Sequence, residues 1–194
     1  MEMISSTICQ ILTDDLTGTY RQRWQLEVER QLKDQNAGIP MDFGVEQWSE
    51  DWKKTVALPS FYCLEEIHIF ALANILRRPI LVICANFNRG EYDEPIAGVN
   101  LGGIYLPLLS DSVGCIKTPL LIRYHHGHFT ELVLTENNEG VSLMKYDGQP
   151  MKLHCLLPEE SNFSDRLLRE YLNCFKLNYT DENGCITKIL VAKM

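Results

Sequence analysis

The chain has 194 residues, 45% of them apolar and 23% charged, enough for one domain with a sizeable buried core. Its formal net charge of −8 argues against general affinity for phosphate backbones or anionic lipid surfaces. No apolar run approaches a bilayer span, and Met1-Glu-Met-Ile-Ser-Ser lacks the basic and apolar regions of a secretory signal, so neither membrane nor nucleic acid is expected as a partner.

Taken in order, Ile4, Ile8, Ile11 and Leu12 stand near helical spacing and predict a short helix within residues 1–16. Asp15 or Thr17 is placed to cap a second helix, in which Tyr20, Trp24, Val28 and Leu32 recur every fourth residue. Asn36-Ala-Gly-Ile-Pro40 ends it in a loop. A third helix is predicted over Val45 to Ala57, with Trp48, Trp52 and Val56 on one face, where core packing is their simplest role.

Leu64 to Leu76 carries the strongest helix signal. Glu65 and Glu66 at its start and Arg77-Arg78 at its end suit the helix dipole, and Pro79 stops it. Ile67, Phe70, Ala71, Leu72, Ala73, Ile75 and Leu76 leave few polar faces, so the helix should be buried and His68 within it a hydrogen-bonded core histidine. Ile80 to Ile83 follows as a buried, β-branched strand. Residues 86–101, polar and broken by Gly90, Pro95 and Gly98, read as a loop or insertion.

Gly103 to Leu109 resumes as a strand that Pro107 confines to an edge or a bulge. Val141 to Met144 and Met151 to Leu157 read as short strands. Ser164 is placed to cap a helix carrying Leu167, Leu168, Tyr171, Leu172 and Phe175, with Cys174 inside it, and a last strand lies near Ile186 to Ala192. The pattern predicts one α+β domain, its helical front half packed on a small, mostly antiparallel sheet.

The candidate chemistry lies in Thr118-Pro-Leu-Leu-Ile-Arg-Tyr-His-His-Gly-His-Phe-Thr-Glu-Leu-Val-Leu134. Strands at Leu120 to Tyr124 and His128 to Leu134 flank a turn at His125-His126-Gly127, where Gly127 takes a positive φ at little cost. His128 then stands at the mouth of a strand, held on a rigid element, as a general base must be. His125, His126 and His128 are metal-ligand types, but no fuller ligand set accompanies them, so neither metal nor cofactor is expected. The seven cysteines have no regular spacing and no Cys-x-x-Cys, which fits reduced structural thiols in the cytoplasm or nucleus.

Leu64-Glu-Glu-Ile-His-Ile-Phe-Ala-Leu-Ala-Asn-Ile-Leu-Arg-Arg-Pro-Ile80 resembles the OTU (ovarian-tumour) family of deubiquitinases, in particular the branch that contains Trabid and Cezanne. Gln47-Trp-Ser-Glu-Asp-Trp52, Gly103-Ile-Tyr-Leu-Pro-Leu-Leu109, Tyr124-His-His-Gly-His-Phe-Thr-Glu-Leu-Val133 and the late Leu167-Leu-Arg-Glu-Tyr-Leu-Asn-Cys174 agree in the same order. The resemblance implies a papain-like fold, ubiquitin and polyubiquitin chains as partners, and a cysteine thiolate attacking an isopeptide carbonyl. It also implies that the histidine before phenylalanine, His128 here, is the catalytic base.

The family's nucleophile follows an Asp-Gly-Asn/Asp-Cys type loop at a helix start, and this chain has no such loop. Cys9, in Thr7-Ile-Cys-Gln10, lacks the glycine-containing loop that supplies oxyanion donors. Cys63 precedes the buried helix, at a position the family does not use, and both read as structural thiols. The expectation is therefore a partial OTU domain over 1–194, lacking the N-terminal segment with the catalytic cysteine and inactive on its own. The alternative is a catalytically inactive OTU-like protein that binds ubiquitin or serves as a scaffold.

Overall fold

Trp24 ties three helices together. It stands on α2 (Thr19–Gln35) and is buried, with its ring 5.5 Å from Trp48 and 5.3 Å from Trp52 on α3 (Val45–Ala57). Its indole N–H donates to Glu65 Oε2 at 2.8 Å, at the start of α4 (Glu66–Leu76). This computed structural model describes residues 2–35, 44–57, 64–84, 87–89, 95–98, 101–125, 128–134, 139–145, 148–180 and 186–194. The fourfold spacing of the aromatic residues thus becomes one aromatic cluster, edge-on between Trp24 and Trp48, as ring quadrupoles favour, and tilted between Trp24 and Trp52.

The first helix, α1 (Glu2–Thr13), and α2 both pack on α4. Asp15 caps α2, its two carboxylate oxygens accepting from the Thr19 and Arg21 backbone N–H groups at 2.9 and 3.0 Å. Glu65 begins α4: its second carboxylate oxygen accepts from Thr55 Oγ1 at 2.9 Å, while its own N–H donates to His68 Nδ1 at 2.9 Å. His68 Nε2 faces the Thr55 carbonyl at 3.0 Å, so the buried ring is neutral, protonated on Nε2, and fully satisfied. Arg77 ends α4 in the left-handed region at φ 47°, and Pro79 follows.

The central sheet has the order β4 (Gly103–Tyr105), β1 (Ile80–Cys84), β5 (Leu120–His125), β6 (His128–Glu131). It is mixed: β1 runs parallel to β5, and the other two pairings are antiparallel. Strand alternation splits its side chains between two cores. Ile80, Val82 and Tyr124 join Ile8, Leu12, Trp24 and Phe70 beneath the helices. Leu81, Ile104 and Leu121 join Leu168, Tyr171 and Leu172 on the opposite face, together with Ala192.

Several elements differ from the expectation. Residues 86–101 include a backbone ladder between β2 (Phe87–Arg89) and β3 (Pro95–Gly98), with Pro95 at the first position of its strand, where a missing N–H is tolerated. Met151 to Leu157 is not a strand; it keeps one bridge, Leu153 to Ile104, and Cys155 turns the chain at φ 58°. The segment leads instead into a short helix, α5 (Pro158–Ser161).

The last helix, α6 (Ser164–Tyr171), starts on Ser164 rather than after it, and Ser164 Oγ donates to the Ser161 carbonyl at 2.6 Å. It ends before Phe175 because Leu172 is extended, at ψ 145°, and Cys174 opens a strand paired with Ala192. That strand, β8 (Cys174–Thr180), was not anticipated. It joins β9 (Ile186–Lys193) and β7 (Gly140–Ser142) in an antiparallel sheet ordered β7-β9-β8. Among the described residues no helix is long and apolar enough to cross a membrane.

Candidate active site

The His128 strand is fixed by the residue after it. β5 and β6 pair in the register Tyr124 to Phe129 and His125 to His128. Tyr124 is buried, Phe129 packs against the same core, and their rings lie 4.8 Å apart. Because side chains alternate along a strand, burying Phe129 turns His128 to the other side, and His128 is exposed. Pairing runs one residue further than the sequence pattern suggested: His125 is the last residue of β5, and the connecting His126-Gly127 lies outside the described residues. Among the described residues the His128 ring has no side-chain hydrogen-bond partner.

A base at this position needs a thiol that can ionise near neutral pH. Five cysteines are described, all unpaired: Cys155 is buried, and Cys9, Cys84, Cys115 and Cys174 are half-buried. Burial pushes the Cys84, Cys115 and Cys174 thiols up from the ordinary cysteine value. Cys155 is pushed well above it, by burial and then by the Glu27 and Glu66 carboxylates. Each shift holds the sulfur as a thiol, the reverse of nucleophile activation. Cys84, one strand from Tyr124 in register, faces the helical core with it. Cys63 and Cys185 lie outside the described residues.

Comparison with known proteins gives the family. The sequence profile of the OTU-like cysteine proteases matches residues 13–129 and so ends on the His128 hairpin. The chain belongs to the OTU family. Tumor necrosis factor alpha-induced protein 3 of Mus musculus is 32% identical over 189 residues, covering 88% of this chain and 24% of that protein. Its Homo sapiens counterpart is 31% identical over the same shares. Ubiquitin thioesterase trabid of Drosophila melanogaster is 33% identical over 142 residues, covering 66% of this chain and 18% of that protein. The chain thus spans about a quarter of the length of the first of these relatives. The α+β architecture, helices together with a small mixed sheet, is that of an OTU cysteine-protease domain.

Sequence reasoning missed a buried ionic cluster that ties α2 to the segment before α5. Glu27 Oε1 lies 2.6 Å from Lys152 Nζ and 3.1 Å from His154 Nδ1. Glu27 Oε2 accepts from the Cys155 N–H at 3.1 Å and from Arg30 at 3.3 Å. Burial alone would raise the Glu27 carboxyl; the hydrogen bond and charge of His154 and Lys152 outweigh it and hold the group well below the usual carboxylate range. His154 is wholly buried and stacks on Tyr105 at 4.6 Å; its Nε2 lies 3.1 Å from the Gly102 carbonyl. Beside it Arg23 makes a two-pronged contact with Glu160, at 2.7 Å on each arm, and donates to the Cys155 carbonyl at 2.6 Å. The signal was available: Arg23, Glu27 and Arg30 recur at helical spacing along α2 beside its apolar stripe.

Proposed function

We propose that this chain carries the base-bearing, ubiquitin-facing part of an OTU deubiquitinase, with residues 1–194 read as one OTU domain. In the reaction a cysteine thiolate attacks the isopeptide carbonyl between ubiquitin and a lysine; the histidine takes the thiol proton and returns it to the leaving amine. His128 fills the histidine role in this reading. The observation that carries it is one exposed imidazole on a strand locked into the core by the next residue, Phe129, within a stretch that matches the OTU profile. The name of the Drosophila relative, a ubiquitin thioesterase, supports ubiquitin and its chains as the partner. The thiolate that His128 would serve is not among the four described cysteines whose thiols are pushed up.

A second reading is favoured by those same thiols: the chain binds ubiquitin without cleaving it. Both readings require the His128 hairpin to meet ubiquitin. We expect unlabelled ubiquitin, titrated into the isotope-labelled chain, to shift backbone resonances of Tyr124, His125, His128 and Phe129 in a saturable way. Absence of any shift at millimolar ubiquitin would remove ubiquitin as the partner.

A further inference from the structure

A cleft of about 530 Å³ opens between α2, the 150–156 segment and α6, and none of its lining residues belongs to the His128 hairpin. Its volume is in the range of small-ligand sites. Its walls are apolar, from Met151, Leu153, Leu156 and Leu168, and two cationic side chains, Arg30 and Lys152, line it as well.

Both cations share one buried carboxylate. Arg30, Lys152 and His154 all turn to the single carboxylate of Glu27, which also serves the Cys155 N–H. Lys152 Nζ is buried at the cleft wall and ion-paired to Glu27 Oε1 at 2.6 Å, and apart from that carboxylate no acceptor among the described residues takes its N–H bonds. Buried polar groups are nearly always hydrogen-bonded, so the remaining N–H bonds of this ammonium call for an acceptor from the cleft. Arg30 donates to Glu27 and to the Leu156 carbonyl at 2.6 Å but is still 30% exposed, so part of its guanidinium faces the cleft. Asp165, exposed, is the one carboxylate among the lining residues; it would disfavour an anion at its own side and leaves the Arg30 side as the seat for one.

We propose that this cleft binds a small amphipathic anion, its carboxylate or phosphate head on Arg30 above Lys152 and its short apolar body along Met151, Leu153, Leu156 and Leu168. The site is independent of the ubiquitin reading, since its ligand meets neither His128 nor a thiol. Binding stabilises the folded chain, because the ligand meets the folded cleft and supplies Arg30 and Lys152 with an acceptor beyond Glu27.

The test titrates the folded chain with octyl phosphate, octanoate, octanol and inorganic phosphate, following Tm and backbone resonances. Octyl phosphate and octanoate should saturate and raise Tm, with inorganic phosphate and octanol each at least about tenfold weaker. Arg30→Gln should weaken both anionic amphiphiles about tenfold. Ser161→Trp, at an exposed lining position, should block the cleft without touching the ionic cluster, and its own melt shows whether it folds. No binding by either amphiphile at millimolar concentration overturns the proposal. So does octanol matching octyl phosphate, inorganic phosphate matching it, or unchanged affinity in a folded Ser161→Trp variant.

Discussion

Tyr124 and Phe129 face each other across the β5–β6 pair, ring centroids 4.8 Å apart, one register step from the His125 to His128 pair. The contact couples the helical core to the one histidine that the OTU reading needs, so the placement of His128 is inherited from packing rather than from a hydrogen bond to its ring.

Phe129→Ala should therefore act on both. Removing a half-buried aromatic ring should cost about 2 kcal/mol, less than a fully buried phenylalanine does. Denaturant unfolding measures this, and the amide of His128 should exchange faster with solvent. A stability change below about 0.5 kcal/mol would mean that the ring contact does not anchor the strand.

Glu27→Gln probes the ionic cluster, and the sign of its pH dependence follows from the direction of the Glu27 shift. The folded carboxyl is held below the unfolded one, so its contribution is complete at neutral pH and is lost as pH falls through the carboxylate range toward the folded value. Replacing one partner of a buried pair should cost about 3–5 kcal/mol at pH 7. The gap between wild type and variant should narrow as the pH is lowered toward 3. A gap independent of pH would show that the carboxylate charge is not what holds the cluster.

Gly103 sits against that cluster at φ 156°, and a Cβ there would lie 2.5 Å from both the Lys152 carbonyl oxygen and His154 Cδ2. One of these is backbone and the other a wholly buried ring, so neither can move away freely. Gly103→Ala should destabilise by about 1–3 kcal/mol in a thermal or denaturant melt. A neutral result would mean that the 152–154 segment yields readily.

Thiol chemistry gives a fourth check. Because burial raises Cys84 and Cys174 and holds Cys155 well above the ordinary value, alkylation at pH 7.5 should be slow at the first two. It should accelerate only as pH rises beyond the usual cysteine range, and Cys155 should stay unmodified until the chain unfolds. Rapid modification of Cys155 in the folded chain, read by peptide mass mapping, would contradict its burial.

The sequence displayed features governed by local periodicity. Trp48 and Trp52 stand four residues apart on α3 and Trp24 four after Tyr20 on α2, so the spacing puts each on an apolar helix face, where they meet in one cluster. His68 was legible as a core histidine because apolar neighbours surround it on a helix ending in Arg77-Arg78-Pro79. His128 was legible as exposed at a strand mouth, with its role implied by family resemblance. Features that depend on distant partners were hidden. Cys174 and Phe175 look helical beside Leu172, but pairing with β9 makes them strand residues, a tertiary preference outweighing a local one. Glu27 and His154 are 127 residues apart, and no local pattern announces their contact.

The measurement closest to the central claim is reaction of the folded chain with ubiquitin carrying a C-terminal electrophile, followed by intact mass and peptide mapping. With His128 as a base whose thiol partner is not Cys84, Cys115, Cys155 or Cys174, none of these four should carry a ubiquitin adduct, while the chain still shows saturable ubiquitin shifts at the hairpin. A stoichiometric adduct on Cys84, Cys115, Cys155 or Cys174 would contradict the account, since burial raises each of those thiols above the ordinary cysteine value.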